Sequence, residues 1–71
     1  MTTLKTDLQE LDIVTLRHDL PEHHLKQGTR GAVVHCYADG QAFEVEFVAD
    51  NGDTLALVTL TPLDIQRSSQ E

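Results

Sequence analysis

The chain has one cysteine, few basic residues and no long apolar run, and each shortage excludes a class of protein. The single thiol, Cys36, rules out an internal disulfide and suits a reducing compartment. No uninterrupted apolar stretch approaches the roughly 20 residues that a membrane-spanning helix needs. The first residues also lack the apolar segment of a signal peptide. We therefore expect a cytoplasmic protein that does not span a membrane.

Basic residues are scarce in relation to acidic ones. Twelve acidic and five basic side chains give a formal net charge of −7 over 71 residues. Nucleic-acid binding relies on Lys and Arg to displace counterions from phosphates, so this balance disfavours nucleic acid and anionic membranes as partners. The length suffices for one domain, whose core would supply roughly 3–5 kcal/mol of net stability.

Apolar alternation and turn residues predict five short strands. Val, Ile and Thr are frequent in these segments, and Asp-Gly and Asn-Gly pairs mark two tight hairpins at 39–40 and 51–52. A long loop around Pro21 separates the first two strands, and a 3₁₀ turn at 61–64 precedes the last. The predicted strands are 12–17, 32–37, 42–48, 54–60 and 65–67.

This pattern indicates an all-β fold, a small five-stranded SH3-like barrel over residues 12–67, because closure removes exposed sheet edges. Residues 1–11 form an N-terminal arm, flexible or short helical, and residues 68–71 a disordered tail. Leu20 and Leu25 fold the long loop back onto the core. Gly28 and Gly31 mark a turn into the second strand, where we expect positive φ.

The segment 42–48 alternates most regularly. Phe43, Val45 and Phe47 share one face, and Glu44 and Glu46 share the other, as expected of a half-buried strand. The two carboxylates lie about 7 Å apart along the strand. Such a pair could do acid–base chemistry only in a cleft that raises one pKa, and a flat outer face has none.

Four histidines, two neighbouring acids and the cysteine could in principle bind a metal, but their spacing is unfavourable. No Cys-x-x-Cys or His-x-x-x-His pair occurs, and His35 and Cys36 lie on opposite strand faces. Cys36 sits in mid-strand as a small hydrophobe without an activating base. We therefore predict no catalytic, cofactor-binding or metal-binding residues, and a protein that is not an enzyme.

The strand 54–60 carries more apolar surface than one sheet face can bury. Leu55 and Leu57 face one side, Ala56, Val58 and Leu60 the other, and only one side can line a barrel. Exposed apolar surface of this kind indicates binding. The candidate partner-binding residues are Glu44, Glu46, Asp39, Leu55 and Leu57, and the partner is another protein, a basic one, or a second copy in a homodimer.

Five segments of the chain form a recognisable pattern: 14–16 (VTL), 20–22 (LPE), 25–34 (LKQGTRGAVV), 42–47 (AFEVEF) and 50–54 (DNGDT). With them the chain resembles a known family of small bacterial proteins, domain of unknown function 4926. The match covers about residues 11–67, and Phe43 stands where the family usually has tyrosine. The resemblance implies an SH3-like fold and transfers no catalytic residues. It also implies an antitoxin- or immunity-like role, in which the protein masks a partner.

An alternative function is an RNA- or ribosome-associated module. The G-x-V-V turn at 31–34 is similar to the KOW-type segment of ribosome- and transcription-associated barrels. Arg17, Lys26 and Arg30 would then contact nucleic acid. The net charge argues against this hypothesis, and so does the scarcity of aromatics for base stacking, since Tyr37 is the one candidate.

Overall fold

Five strands form one antiparallel sheet in the order β4-β3-β2-β1-β5. The computed structural model describes residues 8–37 and 40–68. Within those ranges there is no α-helix, and thus no helix that could span a membrane. No ladder joins β4 to β5, so the sheet is not closed. The elements are β1 (Ile13–Leu16), a 3₁₀ helix (Pro21–His23), β2 (Arg30–Tyr37), β3 (Ala42–Val48), β4 (Thr54–Leu60) and β5 (Ile65–Arg67).

The all-β prediction is confirmed, and most strand bounds agree with the sequence. The bounds of β3, β4 and β5 coincide with the predicted ones, and β1 lies inside its predicted range. The second strand begins two residues earlier than expected, at Arg30. Apolar alternation is a local signal, and it defines strands well where one face is buried.

The core lies on one side of the sheet and is built around β3. Phe43, Val45 and Phe47 are fully buried, whereas Glu44 and Glu46 point to the opposite side. Burying each such apolar side chain stabilises the fold by about 1.5–3 kcal/mol. The other buried residues are Val14, Leu16, Leu20, Leu25, Val33, Leu60 and Ile65.

Gly31 allows β2 to lie close to the core side chains of β3. A Cβ built on Gly31 would approach the Phe47 ring to 2.7 Å and a Val45 methyl group to 2.8 Å, closer than real Cβ contacts. The expectation of positive φ is met at Gly28, where φ is +90°. For Gly31 the expectation is wrong, because that residue lies within β2 without a positive φ. Glycine is required there because a side chain would clash with Phe47 and Val45.

A β-bulge in β2 changes which residues face the core. The register with β3 shifts between Val33 and His35, so that Val33 points inward and the residue after His35, Cys36, also points inward. His35 and Tyr37 are therefore on the outer side, and their rings meet edge to face with centroids 4.4 Å apart. Val34, the extra residue of the bulge, is exposed as well.

The long loop after β1 is anchored by its two leucines. Leu20 and Leu25 pair as an isolated bridge, and both are buried, as predicted. The 3₁₀ helix between them begins at Pro21, whose missing N–H is not needed at a helix start. His24 ends it with φ at 59°, in the left-handed region.

The segment before β5 is a single hydrogen-bonded turn at the predicted position, 61–64, and it does not extend into a 3₁₀ helix. The backbone N–H of Asp64 donates to the carbonyl of Thr61 at 2.9 Å, and the Asp64 carboxylate accepts the N–H of Thr61 at 2.9 Å. The Thr61 hydroxyl in turn accepts the N–H of Leu63 at 3.2 Å. These side-chain bonds satisfy backbone donors at the start of the turn, as a helix N-cap does.

The described residues include only part of the predicted N-terminal arm and the first residue of the predicted tail. Residues 10 and 11 lie in a turn, with Leu11 at a φ of 78° and the Asp12 carboxylate accepting the N–H of Gln9. Residues 1–7 lie outside the described residues, so a helical arm there stays a prediction. Ser68, predicted to begin the tail, donates its N–H to Ile13, and residues 69–71 are outside the described part.

We predict that Gly31→Ala destabilises the protein. Overpacking against the buried Phe47 and Val45 costs about 1–3 kcal/mol. This exceeds the roughly 0.4–1 kcal/mol gained when a glycine loses freedom in the unfolded chain. Urea unfolding measures the difference. The control is Ala32→Val, which adds methyl groups on the other face and should change stability by less than about 0.5 kcal/mol; equal effects would contradict the steric role of Gly31.

Candidate functional site

The side of the sheet away from the core carries most of the exposed apolar side chains. Eight large hydrophobic residues are exposed among the described residues, and six of them lie on this side, which we call the outer face. The remaining two, Leu11 and Leu63, lie in turns. The outer face comprises Ile13, Val34, His35, Tyr37, Glu44, Glu46, Val48, Leu55, Leu57 and Thr59, with Ala32 between β1 and β3.

Strand register places an acidic residue among apolar ones. Ile13 pairs with Ala32, Ala32 with Glu46, and Glu46 with Leu57, so one row crosses four strands. Residues directly opposite one another project to the same side of a sheet. The Glu46 carboxylate therefore has an apolar neighbour on each adjacent strand.

Hydroxyl groups orient both carboxylates of the outer face. The Thr59 hydroxyl donates to Glu44 Oε1 at 2.6 Å, and the Tyr37 hydroxyl donates to the same oxygen at 3.3 Å. Thr54 donates to Glu46 Oε2 at 2.7 Å. Desolvation and the neighbouring Glu44 charge raise the pKa of Tyr37 above its ordinary value. Neutral donors hold the carboxylates in place and leave their negative charge uncompensated by these bonds.

The structure brings four of the five predicted binding residues together. Glu44 and Glu46 are half-buried on β3, and Leu55 and Leu57 are 52% and 56% exposed on β4. Asp39 lies outside the described residues. Both carboxylates sit on an open face, and the absence of catalytic function stays a prediction.

Sequence reasoning missed the apolar residues that β1, β2 and β3 add to this face. Ile13 precedes the buried Val14, so alternation in β1 could have identified it. Val34 is exposed, as alternation from the buried Val33 requires, whereas Tyr37 points outward because of the bulge, which no local pattern indicates. Val48 follows the buried Phe47, and its exposure accompanies a second register shift, against β4.

Of the three basic residues of the nucleic-acid hypothesis, Arg17 is held by backbone carbonyls. It donates from Nε to the carbonyl of Ile65 at 2.9 Å and to that of Pro62 at 3.3 Å, so its guanidinium connects the end of β1 to β5 and to the segment before β5. Arg17, Lys26 and Arg30 each line a different surface depression.

A second polar cluster joins the long loop to the turn before β5. His18 Nε2 lies 2.8 Å from Asp64 Oδ1, and His18 Nδ1 lies 2.9 Å from the Asp19 carbonyl. The hydrogen bond to the Asp19 backbone and the bond to Asp64 raise the pKa of His18, because protonated histidine donates from both nitrogens. For Asp64, burial opposes ionisation, but bonds from Thr61 and His18 outweigh it and lower its pKa.

Metal-binding geometry is not found in the part of the chain that the structure describes. No group of three or more His, Cys, Asp or Glu residues there could hold a metal ion. The Cys36 thiol is half-buried, with its sulfur 3.9 Å from the Leu8 carbonyl.

Comparison with known proteins gives one family. A family model described as "Domain of unknown function (DUF4926)" matches residues 10–67, which is most of the chain. No curated protein and no solved structure gives a significant match. The family resemblance drawn from the sequence is thereby confirmed.

The His18–Asp64 pair predicts a stability optimum in mildly acidic solution. The raised pKa of His18 gives stability that is present below its ordinary value of 6.5 and is lost as pH rises through the folded pKa. The lowered pKa of Asp64 gives stability present above its ordinary value of 3.8 and lost as pH falls through the folded pKa. Both contributions are present between those two values.

Urea midpoints measured across this range test the pair. We expect the urea midpoint of wild type to fall as pH rises above 6.5, and we expect His18→Gln to show a smaller fall over the same range. The matched control is His23→Gln, which replaces an exposed histidine of the 3₁₀ helix. A His18→Gln profile that follows wild type would contradict the role of the pair.

Proposed function

The chain belongs to the family of domain of unknown function 4926, and we propose that it is a non-enzymatic protein-binding module whose outer face recognises a basic segment of its partner. The family description assigns no activity, so the proposal depends on the surface of this chain. The observation that carries it is the row in which Glu46 lies between Ala32 and Leu57.

The exposed apolar surface of the outer face is unusual for a small domain and indicates binding. Monomeric proteins rarely expose large contiguous apolar patches, and those that occur commonly mark interaction sites. Here exposed residues from four strands share one side of the sheet, among them Ile13, Tyr37, Val48 and Leu57. Burying them against a partner would supply apolar contact area that the isolated domain leaves in water.

The two carboxylates determine the chemistry of the partner. A Lys or Arg of the partner could lay its alkyl chain on Leu57 or Ile13 and place its charge at Glu46. Arg suits this geometry best, because its planar guanidinium can engage a carboxylate through two bonds. The net charge of −7 would also attract a basic partner at long range.

An SH3-like barrel in a bacterial cytoplasmic protein is part of this proposal. Support comes from the order of five short strands, the long loop between β1 and β2 and the tight connection between β3 and β4. An antitoxin- or immunity-like role, in which the acidic face masks a basic surface, agrees with the same charge distribution. The KOW-like alternative has less support, since Arg17 is engaged by backbone carbonyls.

Binding of a designed peptide tests the outer face. The probe is a peptide of alternating Arg and Val, titrated into isotopically labelled protein and followed by amide chemical shifts. We expect shifts centred on β3 and β4, and at least about a tenfold loss of affinity, or ~1.4 kcal/mol, in Glu44→Arg/Glu46→Arg. A peptide of alternating Glu and Val should not bind.

The matched control is a double variant that changes the net charge by the same amount, but away from the outer face. Glu22→Arg/Asp50→Arg alters two exposed loop residues and should retain most of the affinity. If both double variants lost the same affinity for the peptide, net charge alone would explain the effect. That result would contradict a binding site on the outer face. Binding of a single-stranded RNA with a steep salt dependence, in place of the peptide, would favour the nucleic-acid alternative.

A further inference from the structure

Among the residues that the structure describes, β4 is the last strand of the sheet, and the edge away from β3 pairs with no other strand. The strand pairs with β3 on one side, and alternate residues of an edge strand direct N–H and C=O groups away from their neighbour. Within residues 8–37 and 40–68, no other backbone group forms a hydrogen bond with the edge of β4 that points away from β3. The other edge strand, β5, has three residues, whereas β4 has seven.

This edge lacks the charged residues and prolines by which proteins commonly prevent strand addition. Lysine, proline or inward-pointing charges usually protect an exposed edge. The sequence of β4 is TLALVTL, which contains none of them and no charged residue at all. Its irregularity is a β-bulge at Leu55, where the register with β3 jumps from Ala56 to Thr54, so residues 56–60 form the regular part of the strand.

We propose that β4 pairs antiparallel with β4 of a second copy of this chain, about a two-fold axis at Leu57. Leu57 is the middle residue of the strand, so this register pairs the greatest number of residues. It places Leu57 opposite Leu57 and Ala56 opposite Val58, within the regular part of the strand. Ala56 and Val58 are half-buried against the core, and the second copy would cover them further.

Charge favours this edge over other surfaces for self-association. Two copies of a chain with net charge −7 repel, so their contact must keep carboxylates apart. Glu46 pairs with Leu57, so the two Glu46 residues would be three strand spacings apart, or about 14 Å. That distance exceeds the screening length of about 8 Å at physiological ionic strength. The antiparallel direction also separates the Asp50–Asp53 hairpins of the two copies.

The pairing would form one continuous sheet of ten strands. Residues opposite each other in a ladder project to the same side, so both outer faces would lie side by side. The dimer would then present two copies of the acidic face to one partner, which favours a bivalent basic partner. Self-pairing of β4 does not depend on the proposed partner binding and is tested without it.

Sedimentation equilibrium of the full chain tests the proposal. We expect wild type to change with concentration from 7.9 kDa to twice that mass. Leu57→Lys places like charges opposite each other and should weaken dimerisation at least about tenfold. Leu63→Lys is the matched control, because it changes a leucine that is 83% exposed in a turn, and it should dimerise like wild type.

A mixing experiment tests the register. Leu57→Lys and Leu57→Glu should each be monomeric and folded, as judged by urea unfolding, and should form a heterodimer when mixed. Failure of the mixture to dimerise would overturn the register, and a wild type that is monomeric at all concentrations would overturn the pairing. Slow hydrogen exchange at the β4 edge amides of a monomeric protein would mean that another segment of the same chain pairs with that edge. This result would also overturn the proposed pairing.

Discussion

The close approach of β2 to the core side of β3 is the constraint on which the rest of this structure depends. Phe43, Val45 and Phe47 supply the centre of a small core, and β2 can lie against them because Gly31 has no side chain. A domain of this size has few apolar contacts to spare. The register of these two strands therefore has a larger effect on stability than any surface interaction.

That register also creates the outer face. Because strand side chains alternate, burying three residues of β3 places Glu44 and Glu46 on the opposite side. Pairing then brings Leu57 and Ala32 next to Glu46, and hydroxyls of neighbouring residues hold the carboxylates in position. The apolar side chains around the carboxylates stay exposed to water in the isolated domain. For this reason we propose that the face binds a partner.

The face and the edge of β4 are separate surfaces that share one strand. Leu55 and Leu57 contribute side chains to the face, and their backbone belongs to the edge. The absence of charge from β4 is notable in a chain with twelve acidic residues. Dimerisation through the edge would leave both acidic faces accessible, so the two proposed interactions are compatible.

The sequence alone determined the strands, the buried face of β3, and the anchoring of the loop by Leu20 and Leu25. These features follow from local periodicity and turn chemistry, which act over a few residues. Only the tertiary structure decided the bulge at Val34, the steric role of Gly31 and the row that joins Ile13 to Leu57. Each of these depends on which residues of distant strands lie opposite each other, and that register is set by packing between strands rather than by any one strand.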